Sequence, residues 1–154
     1  MVSGSDLRGF AGLSRLDDIA LDRVAENAHE CSFAVGQRIF DEGKPAHGCW
    51  LIRTGRIALR TVVPGRGEVV VQTLTAGELL GWSWLVPPYR WHFSATAFDA
   101  GTAYRIDTGA LRREAEADPA LGHRLALGML EVLLARLQST RARLLDLYAS
   151  PRGH

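Results

Sequence analysis

The chain has 154 residues and a net charge of +1, enough length for one domain with a hydrophobic core and no bulk charge to draw it to nucleic acid or an anionic membrane. No apolar run approaches the ~20 residues that cross a bilayer, and residues 1–12 are neither basic nor apolar enough for a secretory signal. The two cysteines, Cys31 and Cys49, lack CxxC spacing and read as reduced thiols of a cytoplasmic protein.

Residues 1–12, rich in Gly and Ser, read as a loose leader before a single domain over 13–154. Ser14 and Asp17 make a capping-box-like start. Leu16, Ile19, Ala20, Val24 and Ala28 follow at helical spacing, which predicts a helix to about Glu30. From about 32 to 106 the pattern becomes short strands. Phe33, Val35, Ile39 and Phe40 lie among Gly36 and polar residues, 41–45 is a turn cluster, 50–53 a strand, and Thr54 and Gly55 a tight turn. Residues 56–62 set Ile57, Leu59 and Thr61 against Arg56, Ala58 and Arg60, the alternation of a half-buried strand. A loop at 64–67 turns it into a partner strand over 68–74.

Residues 77–97 follow, beginning Gly77, Glu78, Leu79 and Leu80 and halted by Pro87 and Pro88. A strand feeding a glycine and then a short helix offers free N–H groups, here those of Leu79 and Leu80, as an anion pocket. Glu78 sits inside it; its carboxylate repels a phosphate and suits a sugar hydroxyl instead. Trp82, Trp84, Tyr89, Trp91 and Phe93 crowd the same stretch. They fit three readings: rings that have filled the site, walls for a planar ligand, or a docking surface for a protein. Strands over 93–98 and 102–106 complete the sheet region.

Thr108 caps a short helix through Glu116, and Asp118 with Pro119 opens a second helix to about Tyr148. Leu127, Leu130, Leu134, Leu137, Arg141, Leu144 and Tyr148 form a seam stepping by three and four, with Leu133 and Leu145 off that line. A helix apolar on more than one face covers its own barrel with one and a twin helix with the other, a homodimer; the alternative is a long helix on its own barrel alone. The whole reads as α+β: an antiparallel β-barrel or jelly roll over about 32–106, an N-terminal helix, and helices over about 108–149.

Gly77, Glu78 and Leu79, followed by Ser94, Ala95 and Thr96, resemble the phosphate-binding cassette of the cyclic nucleotide-binding domain family. The stretches 36–43 and 49–57 resemble the family's first strands, so the resemblance runs over nearly the whole chain. It implies a cyclic nucleotide ligand, cAMP or cGMP, with Glu78 on the ribose hydroxyl. In the family an arginine takes the cyclic phosphate; here Phe93 stands in its place. The gap between the cassette halves is also longer than in the family. Arg90 is the candidate replacement, against an exposed loop arginine; His92 is a further donor; Ser94, Ala95 and Thr96 add hydroxyl and backbone groups. Residues 135–140 resemble the part of the family's long helix that reaches the purine, placing Thr140 on the base, against a plain surface threonine. The same helix dimerises and covers the ligand in the family. Family regulators that read DNA continue into a helix-turn-helix segment; here six residues follow Tyr148, so direct DNA binding is not expected.

Catalysis has little support. His29, His47, His92, His123 and His154 show no metal-ligand spacing, Cys49 near His47 is a weak metal hint, and nucleophile-elbow and P-loop motifs are missing. A cupin-like metalloenzyme needs histidines converging from strands, and these strands carry aliphatics and arginines. The two open functions are a sensor whose ligand shifts the last helix, and a degenerate domain used for dimerisation or protein docking.

Overall fold

A computed structural model describes residues 1–149; the expected tail, residues 151–154, lies outside the described residues. Among the described residues, eight strands form two four-stranded antiparallel sheets. The first is ordered β1 (Ala28–Phe33), β8 (Gly101–Ile106), β3 (Cys49–Thr54), β6 (Leu79–Leu80). The second is ordered β2 (Arg38–Phe40), β7 (Ser94–Ala97), β4 (Ile57–Val63), β5 (Gly67–Leu74). Side chains of both sheets, among them Leu51, Ile52, Ile57, Leu74, Leu79 and Ile106, are almost wholly buried, between the sheets or under the N-terminal segment and the helices. This is the α+β jelly roll read from the sequence, with an N-terminal helix and two C-terminal ones.

The N-terminal helix is shorter than its periodicity suggests. α1 (Asp18–Ala25) is capped by the Asp17 carboxylate, which accepts from the Ala20 N–H at 2.9 Å. It stops because Ala28 enters β1 and pairs with Ile106, a ladder the local pattern does not reveal. The first twelve residues are not loose. They form a capped turn at Gly4–Leu7, bury Val2 and Leu7, and tie to the cassette where the Ala11 N–H donates to the Gly77 carbonyl at 3.0 Å. Glycine here permits contact rather than motion. Gly12, at φ +91°, lies against Leu79 and Met129, and a Cβ on Gly128 would strike the Gly12 carbonyl oxygen.

α2 (Thr108–Ala117) is capped by Asp107, whose carboxylate accepts from Gly109 and Ala110. Thr108 is instead buried, its hydroxyl accepting from the Gly48 N–H at 2.8 Å. α3 (Pro119–Ala149) opens at Asp118 and Pro119 as the sequence predicts, with Asp118 accepting from the Ala120 and Leu121 N–H groups. Arg23 of α1 reaches both Glu114 and Asp118, at 3.2 and 2.7 Å, and pins this junction. Leu121, Leu125, Met129 and Val132 of α3 are buried on the domain, while Leu130, Leu134, Leu137 and Leu144 are each more than half exposed. No helix among the described residues is long and apolar enough to cross a membrane.

Candidate ligand-binding site

The cassette begins with a strand, not a helix, which corrects the expected anion pocket. Gly77, at φ +90°, donates its N–H to the Ile52 carbonyl at 2.8 Å, and the Ile52 N–H returns to the Glu78 carbonyl at 3.0 Å. Leu79 and Leu80 then pair with Leu51 and Trp50 as β6 and are buried. Their backbone belongs to the sheet. Cross-strand pairing with β3 outweighs the helical reading of this apolar run. The only helical turn is Ser83–Leu85, too short to present a dipole.

Glu78 is half-buried at the lip of a cavity of about 170 Å³, lined by Gln72, Glu78 and Leu79 on the barrel and Val132, Ala135, Arg136 and Ser139 on α3. Its Oε2 accepts from the Thr75 N–H at 2.7 Å and the Thr75 hydroxyl at 3.3 Å, while Oε1 has no hydrogen-bond partner among the described residues. Facing it is Arg136, whose Nη2 donates to the Leu79 carbonyl. Burial pushes the Arg136 pKa down, and the charge of Glu78 pulls it back up.

Arg136 also bounds a second space, between Phe40, Leu59, Leu80, Trp82, Trp91, His92 and Phe93. Only about 10 Å³ is open there, about the size that admits one water. Aromatic packing fills the rest. Trp91 stacks on Phe40 with centroids 3.8 Å apart, Trp82 stacks on His92 at 4.6 Å, and His92 Nδ1 lies 2.9 Å from the Ser83 hydroxyl. Trp84 is buried behind them, its indole N–H on the Gly81 carbonyl.

The other expected residues lie elsewhere. Arg90 turns away from Glu78: it bonds the Gly43 carbonyl at 2.9 Å and lines a different cavity. The Ser94 hydroxyl accepts from the Glu42 N–H, Ala95 is core, and the Thr96 hydroxyl accepts from Arg38, so none of the three faces Glu78. Thr140 is exposed, and Ser139, not Thr140, lines the cavity. The structure therefore joins Glu78, Leu79 and Phe93 through Arg136. Arg136 lies within the 135–140 stretch, but nothing local in that stretch signals that it meets the cassette.

The profile of the cyclic nucleotide-binding domain matches residues 30–118, more than half of the chain. No curated protein matches it. A candidate cyclic nucleotide-binding protein from Geobacter metallireducens GS-15 is 30% identical, with 89% of this chain and 99% of that one covered and a TM-score of 0.81. A cyclic nucleotide-binding domain from Methylobacillus flagellatus KT shares the fold at 16% identity and TM-score 0.81, covering 99% and 89%. So does the regulatory domain of Toxoplasma gondii PKA, solved with cAMP, at 17% identity and TM-score 0.65 over 71% of this chain and 42% of that one. With the jelly roll, the cassette position and the long C-terminal helix in agreement, this chain belongs to the cyclic nucleotide-binding domain family.

Proposed function

We propose that the domain is a regulatory sensor that takes a cyclic nucleotide, cAMP or cGMP, or a related small anion between its cassette and α3. The observation that carries this reading is the position of Arg136. A cyclic phosphate needs one cation and a ribose hydroxyl needs one acceptor. Arg136 and the free Oε1 of Glu78 supply them across a single cavity. Arg136 is also the one residue common to the linings of both spaces. When its guanidinium leaves the Leu79 carbonyl for a phosphate, the two spaces join and Trp82 and Phe93 offer ring faces to a base.

The cation in the family cassette belongs to the barrel; here it belongs to α3. Ligand charge then acts directly on the helix that holds the domain closed. A ligand shifts a conformational equilibrium only by its difference in affinity for the two states, and an arginine on the moving element provides that difference. The apolar stripe of α3, Leu130, Leu134, Leu137 and Leu144, fits a second copy of the chain, so the reading includes a homodimer whose helix pairing follows the ligand.

Isothermal titration with cAMP and cGMP tests the reading. Saturable heat from the wild-type chain, weakened on the order of tenfold or more in Glu78→Ala, supports it. No heat with either nucleotide at millimolar ligand ends the cyclic nucleotide reading and leaves the closed aromatic packing and the leucine stripe as those of a dimerisation module.

A further inference from the structure

On the opposite side of the cassette loop lies a cavity of about 200 Å³, closed by the 45–47 loop, the 84–90 loop and the first turn of α2. Arg90, Arg112 and His47 line it, and no carboxylate does. Arg90 gives one hydrogen bond, to the Gly43 carbonyl, and Arg112 gives one, to the Trp84 carbonyl at 3.1 Å. Neither has an acidic partner among the described residues, whereas Arg23, Arg38 and Arg56 all do. A guanidinium carries five N–H donors, so both arginines keep donors unfilled. The acid next to the cavity's α2 wall is Asp107, and its carboxylate is turned onto the Gly109 and Ala110 N–H groups. Two cations facing one partly enclosed space repel each other, and an anion between them relieves that repulsion.

The remaining wall is apolar: Trp84, Tyr89, Pro45 and Pro88. The Arg112 guanidinium lies 4.3 Å over the Tyr89 ring. Tyr89 itself sits at φ +59°, where a bulky side chain is held only when its surroundings over-determine it. Its N–H on the Val86 carbonyl and its carbonyl on the Ala46 N–H do so, and they fix the ring at the cavity rim.

We propose that this cavity is a second ligand site, for a small organic phosphate. Three donor side chains, Arg90, Arg112 and His47, match the three terminal oxygens of a phosphomonoester, where a carboxylate leaves one donor unmet. The aromatic and proline wall takes the organic body. The site is independent of the α3 cavity, because Arg136 and Glu78 line no part of it. A ligand bound there bridges the cassette loop to α2, whose C-terminal end meets α3 through the Arg23 junction.

The test is a titration of the whole chain with phenyl phosphate and with inorganic phosphate, followed by amide and indole NMR shifts. The expected result is saturable binding of phenyl phosphate, tighter than inorganic phosphate, with shifts at Ala46, the Trp84 indole, Tyr89 and Gly109. Arg90→Gln removes an exposed side chain and leaves the fold intact; it weakens binding about tenfold or more. Arg112→Gln, read beside its thermal melt, does the same, and Arg66→Gln, in the exposed loop between β4 and β5, leaves binding unchanged. No saturable shift at about 10 mM phenyl phosphate, undiminished binding in Arg90→Gln, or shifts confined to Gln72, Glu78 and Ser139 each overturn the proposal. Equal affinity for the two phosphates overturns the organic part of it.

Discussion

Arg136 is held by three neighbours of different kinds: the Leu79 carbonyl that accepts its hydrogen bond, the Glu78 carboxylate that faces it, and the burial that disfavours its charge. An arginine remains cationic under such burial, so the cavity beside Glu78 keeps a positive group although Arg90 of the cassette turns away from it. Phe93 takes the cassette arginine's place in the sequence, yet it contributes an apolar wall. Trp82 and His92 form the other wall by stacking. Replacing Trp82 with alanine removes that stack and opens the 10 Å³ space toward His92. The predicted outcome is binding of a small aromatic reporter that wild type excludes, read by fluorescence, with a fall in stability of about 3 kcal/mol or less because Trp82 is only partly buried. Glu78 was legible as a site residue because its neighbours Gly77 and Leu79 mark it. Arg136 was not, because it stands 58 positions later in sequence and only the packing of α3 brings it to Leu79.

At the scale of elements, residues 1–12 and α3 cross backbone to backbone. Gly128 packs against the Gly12 backbone with no room for a methyl group. Gly128→Ala meets a carbonyl oxygen that cannot rotate away, so it is predicted to cost about 3 kcal/mol or more, the upper end for overpacking. Gly36→Ala is the contrast: φ +80° but open space around it, so only backbone strain of about 1–2 kcal/mol is expected. Thermal melts of the two variants check the order. β4 and β5 could be read from alternation and turn residues alone, because their hairpin is local, and β3 from its apolar run ahead of the turn at Thr54 and Gly55. β1 and β6 carry no such local signal, and their partners, β8 and β3, lie 28 to 78 residues away in register pairs such as Ala28 with Ile106 and Leu79 with Leu51. The same non-local pairing turned the expected cassette helix into a strand. Residues 1–12 depart from the loose leader their composition predicts for a related reason: Gly and Ser signal mobility in isolation, and here Gly12 allows close contact with α3.

For the whole molecule, two properties follow from how charge and apolar surface are distributed. Asp17, Glu68, Asp99, Asp118 and Glu131 all have pKa values lowered, by the backbone N–H of Ala20 for Asp17, by arginine partners for Glu68, Asp99 and Asp118, and by Ser14 and Arg15 for Glu131. A carboxyl with a depressed folded-state pKa binds fewer protons folded than unfolded. Its contribution is therefore complete above the unfolded value, about 4, and disappears as the pH falls through the folded one. The midpoint of thermal unfolding is predicted to be flat from about pH 5 to 7 and to drop below about pH 4. Arg23→Ala, which removes the partner of Asp118 and Glu114, is predicted to make that acid limb shallower. The exposed stripe of α3 carries the prediction about assembly. Sedimentation equilibrium is predicted to give a dimer for wild type and a monomer for Leu137→Glu, since a charge at the seam opposes burial of the neighbouring leucines; a monomeric wild type at high concentration contradicts the pairing. The account rests most heavily on α3 supplying the cation for the cassette. The direct measurement is isothermal titration of cyclic nucleotide into Arg136→Gln beside Arg90→Gln. The account predicts affinity lowered about ten- to a hundredfold by the first, the loss of one charge-assisted hydrogen bond, and unchanged by the second. Loss in Arg90→Gln with Arg136→Gln unaffected would contradict it.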